Sequence, residues 1–162
     1  MATIIESLYL PDLLDGLTLA ATARGLSRVH FGESVDVGAQ GPLVRKAERQ
    51  LREFFAGERF VFDVALDLEG TAFQLEVWRA LTKIPYAETC SYRDIAITVD
   101  RPKGYQAIGQ ANTRNPIPVI VPCHRVINAD DSWAATAAVP IRKHKLLELE
   151  RLHAHRFRET AA

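Results

Sequence analysis

The chain has 162 residues, 48% hydrophobic and 25% charged, and its 20 Lys+Arg balance its 20 Asp+Glu. That is an ordinary globular composition, enough to bury a core in one domain or two small ones. It excludes a strongly basic nucleic-acid binder, though not a local basic face, and no apolar run approaches the length that crosses a bilayer.

In chain order, Thr18 to Thr22 and Leu26 to Phe31 are β-prone runs flanking Arg24-Gly25, a turn signal. Val44 to Phe55 places Val44, Ala47, Leu51, Phe54 and Phe55 near helical spacing, and Gly57 closes that helix. Val61 to Leu68 alternates apolar and acidic residues, which predicts a strand covered on one face, and Glu69-Gly70 turns the chain. This first region reads as a small sheet with one packed helix and carries no catalytic constellation. From Thr71, a candidate N-cap, the period becomes helical over Ala72 to Thr82, with Phe73, Val77, Ala80 and Leu81 on one face. Ser91 caps a second helix from Tyr92 towards Val99, which Asp100-Arg101-Pro102 breaks. A third helix spans about Lys103 to Asn112, with Ala107, Ile108 and Ala111 expected inward. Two short helices joined by a tight turn form either a helix-turn-helix or a plain helical hairpin. A final helix starts at Arg142-Lys143-His144-Lys145 and carries Leu146, Leu147 and Glu150.

The most informative stretch is Pro122-Cys123-His124-Arg125-Val126. It ends the apolar run Ile117 to Val121, read as a buried strand that delivers a cysteine and an adjacent histidine into a tight turn. A thiol becomes a reactive thiolate beside a base or a positive charge; an isolated cysteine is more often a small packed residue. Cys90, the other cysteine, is read as packed. Two cysteines so far apart make no disulfide scaffold, and a free thiol suits a reducing cytoplasm, the expected location. No secretory leader, zinc-site spacing or glycine-rich phosphate loop is read, so no metal or cofactor is expected.

The run Asn115-Pro116-Ile117-Pro118-Val119-Ile120-Val121-Pro122-Cys123-His124-Arg125-Val126 resembles the signature of the O6-alkylguanine-DNA alkyltransferases (methylated-DNA–protein-cysteine methyltransferases). Phe73 to Trp78, Ile84 to Tyr92 and Leu146 to Glu150 extend the likeness, which covers residues 55 to 150 well and the first 50 loosely. The resemblance implies an α/β N-terminal domain over 1–70, a small ribonuclease-H-like antiparallel sheet with a helix. Over 71–162 it implies a mainly α domain with a winged-helix-like helix-turn-helix that enters the DNA minor groove.

It also implies single-turnover transfer of an alkyl group from guanine O6 to a cysteine. Residue by residue, Cys123 is the nucleophile, His124 the base acting through a water, and Glu150 the group orienting His124. Asn115 ties the turn together, and Tyr92 donates a proton to the leaving base. Tyr92, Arg93, Arg101, Lys103, Tyr105, Gln106 and Arg114 are the expected DNA contacts, and Trp133, Thr136, Ala137 and Ala138 line the expected substrate pocket. Arg125 is read as a structural ion pair. Double-stranded DNA is the expected partner, with no membrane contact and a monomeric state.

Two departures stand out. Gln106 occupies the place of the arginine that replaces a flipped base, and Tyr105 stands where relatives carry a small residue. After the cysteine, Asp130 to Pro140 lacks the glycines and tyrosine of the family's pocket loop. Three accounts therefore fit: DNA repair with weakened contacts, the same thiol acting on a small-molecule alkyl donor, and non-enzymatic damage binding. Cys123 makes the last the weakest.

Overall fold

The computed structural model describes residues 2–33, 38–128 and 141–161. They gather into two compact units, residues 1–69 and 70–162.

The first unit is an antiparallel sheet of β1 (Glu6–Leu10), β2 (Leu17–Thr22) and β3 (Gly25–Phe31), in that order. Leu8 pairs Leu19, and Leu19 pairs Val29. The central strand is buried along its whole length, covered by helix α1 (Pro42–Phe55), which turns Val44, Ala47, Leu51 and Phe54 inward. Proline at the start suits a position whose N–H has no helical partner, and Gly57 leaves the helix at φ 74°. Gly25 makes the β2–β3 turn at φ 153°, where a Cβ would lie 2.5 Å from the Ala65 carbonyl oxygen.

That close approach accounts for a correction. Residues 61–68 are not a sheet strand: they make a single bridge, Leu26 with Leu66. The Leu26 N–H donates to Ala65 and the Asp67 N–H to Leu26. Further back the Gln50 side chain takes the place of a neighbouring strand, accepting from the Asp63 N–H at 2.8 Å. The alternation was real, but a side chain satisfies the backbone groups that a ladder would have paired.

The second unit contains α2 (Ala72–Thr82), β4 (Cys90–Ser91), α3 (Tyr92–Thr98), α4 (Tyr105–Thr113), a 3-10 turn at Cys123–Arg125, β5 (Val126–Ile127) and α5 (Ile141–Ala161). Reciprocal capping boxes start α2 (Thr71 with Gln74) and α3 (Ser91 with Asp94). The Trp78 indole donates to the Ala111 carbonyl at 2.9 Å, fixing α2 against α4. On α4, Ile108 and Ala111 face inward as expected, but Ala107 is exposed and Asn112 is buried instead. The two-residue parallel pair β4–β5, absent from the sequence reading, sets Cys90 beside Val126 and Ser91 beside Ile127. It anchors the start of α3 to the residues that follow the cysteine.

The run 117–121 is a buried turn rather than a strand. Pro116, Pro118 and Pro122 supply no N–H for a ladder, and the Val121 N–H closes back on Ile117 at 2.9 Å. Val119 sits at φ 75°, a backbone region that costs a β-branched residue on the order of 1–3 kcal/mol. Among the described residues no helix is long and apolar enough to cross a membrane.

Candidate active site

The turn is held open by one side chain. Asn115 Oδ1 accepts the Ile117 N–H at 3.0 Å and Nδ2 donates to the Val121 carbonyl at 2.8 Å, both buried. Its amide also favours the ionised form of Cys123. The loop thus presents Cys123, partly exposed, on the first residue of the 3-10 turn, with His124 and Arg125 buried behind it.

Both buried residues converge on α5. Glu150, 1% exposed, accepts from His124 Nε2 at 2.6 Å. It also accepts from Arg125 Nε at 2.9 Å and Nη2 at 2.9 Å. The Ala87 N–H adds a fourth donor at 3.0 Å, presented by a backbone at φ 63°. Arg125 Nη1 donates to the Ile84 carbonyl at 2.7 Å. Burial opposes ionisation of Glu150, yet the His124 and Arg125 bonds hold its carboxyl down at about 2. Burial lowers the His124 pKa, against the pull of Glu150. Nε2 carries the proton that faces Glu150, because an ionised carboxylate only accepts. Nδ1 is left as a buried lone pair with no hydrogen-bond partner.

Burial pushes the Cys123 thiol up, and three influences oppose it: the Asn115 amide, the Lys143 charge and nearby backbone N–H groups. Lys143, which the sequence pattern does not single out, lies beside this site. It donates to the Val126 carbonyl, and its Nζ lies 5.7 Å from the centre of the Tyr92 ring. Burial lowers its pKa, and the sulfur raises it. A signal was available: Lys143 shares a helical face with Leu147, Glu150 and Ala154, the last three all buried. Tyr92, at the start of α3, is raised first by burial and then by the Cys123 charge. Cys90 is half-buried, and burial pushes its thiol to about 11, which leaves it poorly suited to form a thiolate.

Tyr92, Arg93, Tyr105, Gln106, Gly109 and Asn128 line a recess of about 580 Å³. The other expected DNA contacts lie outside that lining. Arg101 stacks over the Phe73 ring at 5.9 Å, and Lys103 and Arg114 are exposed at the two ends of α4. The expected pocket residues Trp133, Thr136, Ala137 and Ala138 fall outside the described residues. Among the described residues no group of three or more His, Cys, Asp or Glu could hold a metal.

Comparison with known proteins places the chain among named relatives. The family described as 6-O-methylguanine DNA methyltransferase, DNA binding domain, matches residues 72–152. A methylated-DNA–protein-cysteine methyltransferase of Methanosarcina acetivorans is 52% identical, covering 91% of this chain and 96% of its own. One from Methanosarcina barkeri is 41% identical over 91% and 94%. The crystal structure of Mycobacterium tuberculosis O6-methylguanine methyltransferase superposes with a TM-score of 0.80 at 38% identity, covering 93% of this chain and 94% of that one. A structure of the Mycobacterium tuberculosis protein in complex with DNA gives 0.77 at 42%, over 91% and 92%. On these matches, the chain belongs to the methylated-DNA–protein-cysteine methyltransferase family.

Proposed function

We propose that this protein repairs DNA by moving an alkyl group from O6 of guanine onto Cys123 Sγ, once per molecule. The observation that carries the reading is Cys123, partly exposed, beside a buried imidazole clamped to Glu150 at 2.6 Å. The thiol proton passes to His124 Nδ1, through one solvent molecule in the arrangement the family resemblance implies. Glu150 favours the imidazolium so formed. Lys143 and the Asn115 amide stabilise the thiolate. Sulfur attacks the alkyl carbon; the carbon–oxygen bond breaks, and its electron pair leaves with the purine. Tyr92 protonates the departing base. Holding sulfur in line with the carbon supplies much of the acceleration. The product thioether is stable, so each molecule reacts once.

Intact mass measurement tests this directly. After incubation with a duplex oligonucleotide bearing O6-methylguanine, the protein is expected to gain one methylene, lost in Cys123→Ala. No gain from the duplex overturns the reading, and a gain only from a free alkylated base transfers it to a small-molecule donor.

DNA engagement has its own test. Gln106 and Tyr105 begin α4 at the edge of the recess. Glutamine fills space and hydrogen-bonds but brings no charge to the phosphates. Gln106→Arg is expected to raise activity on duplex DNA several-fold and to steepen the fall of affinity with salt by about one unit of slope. Flat activity with an unchanged slope would show that charge was not the missing part.

A further inference from the structure

Helix α4 ties the nucleophile to the recess. Near its C-terminal end the Asn112 side chain donates to the Cys123 carbonyl at 3.4 Å. Towards its other end Tyr105, Gln106 and Gly109 line the recess together with Tyr92, Arg93 and Asn128. Helical rise sets Tyr105 about 10 Å out from Asn112 along the axis. Tyr105 is 47% exposed, and it is the one exposed phenylalanine, tyrosine or tryptophan among the described residues of the second unit. Nothing in the fold accounts for its ring. It does not fill the core, and α4 begins at Gly104 without a side-chain cap. One turn further on, a Cβ at Gly109 would meet nothing within 4 Å among the described residues. The helix face beside the ring is therefore bare and open to close approach. The lining holds two aromatic rings, two amides and a single charged group, the Arg93 cation. Rings that stack, amides that hydrogen-bond and a cation for a phosphate are the chemistry that recognises a nucleotide.

We propose that Tyr105 is a positioning residue for the transfer: its ring enters the duplex next to the alkylated guanine and stacks on the base bordering the gap, while the guanine turns out towards Cys123. The proposal rests on the repair reading above. An enzyme that works on a base inside a duplex must take that base out of the stack, at the cost of its pairing and stacking. Side chains that bind the minor groove offset such a cost by wedging between base steps. A tyrosine ring adds stacking on a base of any sequence, since every base has a π face. The outer end of α4 is the place for it, because the gap stays in the duplex while the extruded guanine lies at the sulfur.

Single-turnover rates on O6-methylguanine in a duplex, and in the same strand unpaired, test this. Tyr105→Ala is expected to lower the ratio of duplex to single-strand rate about 10-fold, within the span that stacking one base on an aromatic ring supports. Tyr105→Phe keeps the ring and should hold the ratio within about twofold of that of the parent. An abasic site opposite the lesion should recover most of the Tyr105→Ala loss, because less pairing and stacking remain to be broken. Both variants should melt with the parent, since the side chain is exposed. A ratio that stays level in Tyr105→Ala, whether both rates fall or neither does, overturns the proposal. A ratio that rises overturns it too, and shows that the ring obstructs the groove. So does a Tyr105→Phe protein with a ratio as low as that of Tyr105→Ala. A parent protein that gains no methylene overturns the repair reading instead, a result distinct from these.

Discussion

Glu150→Gln is expected to destabilise the protein by about 3–5 kcal/mol at neutral pH, because it removes the anion from a buried cluster and leaves its cation in place. Glu150 receives His124, both Arg125 contacts and the Ala87 N–H. Glutamine offers one acceptor oxygen and turns an NH₂ towards donors that have nowhere else to go. Arg125 would keep its bond to the Ile84 carbonyl and carry an unpaired charge in the interior. Urea denaturation at several pH values reads both the loss and its origin. The Glu150 carboxyl is held at about 2, below its ordinary 4.5. Its stabilising contribution is therefore complete above the ordinary value and disappears as pH falls through about 2. His124 is shifted down from 6.5 by burial; its contribution, present above 6.5, is likewise lost on acidification. Both push the same way, so the parent protein weakens in acid. The deficit of Glu150→Gln should shrink below about pH 4.5 as the parent carboxylate nears its own titration. A deficit that stays constant down to pH 3 would show that shape, not charge, was lost. Alkyl transfer should fall together with stability at neutral pH, since the imidazole loses its anchor.

The elements that the sequence disclosed are those with local signals. Thr71 with Gln74 and Ser91 with Asp94 each place a cap and its partner three residues apart, and Gly57 ends α1 by its own backbone freedom. The failures share a cause. Alternation in 61–68 and apolarity in 117–121 report burial, but burial alone does not say which groups pair. Gln50 in one case and Asn115 in the other supplied the pairing from a side chain. The β4–β5 contact joins segments 36 residues apart through two residues each, too short to leave a pattern. At the site, His124 and Glu150 are separated by 26 residues; only the family resemblance linked them. Arg125 carries no local sign of its ion-pair partner, which is the same carboxylate. Lys143 was hidden in a basic run whose other members, Arg142, His144 and Lys145, are exposed.

Asn115→Ala should be nearly as damaging, and for a different reason. The turn from 115 to 122 contains three prolines and has few backbone bonds of its own. Two buried main-chain groups, the Ile117 N–H and the Val121 carbonyl, depend on this one side chain. Stranding both costs about 2–6 kcal/mol, since each buried unpaired group costs about 1–3 kcal/mol. The strain at Val119, φ 75°, then loses the tie that holds it, and the sulfur shifts. A displacement near 1 Å is enough to slow a positioned reaction on the order of 100-fold. Asn115→Asp separates the two roles. It keeps the acceptor for Ile117 but sets a carboxylate against the Val121 carbonyl and the Cys123 sulfur. It should melt above Asn115→Ala at a pH low enough to protonate the new carboxyl. At neutral pH its thiol should titrate higher than that of the parent, because a second negative charge disfavours the thiolate. Thermal melts and a pH titration of thiol alkylation by iodoacetamide measure these outcomes. If Asn115→Ala melts with the parent and its thiol titrates unchanged, the turn is held by its buried apolar side chains, Ile117, Val119 and Val121, and the amide is incidental to the nucleophile.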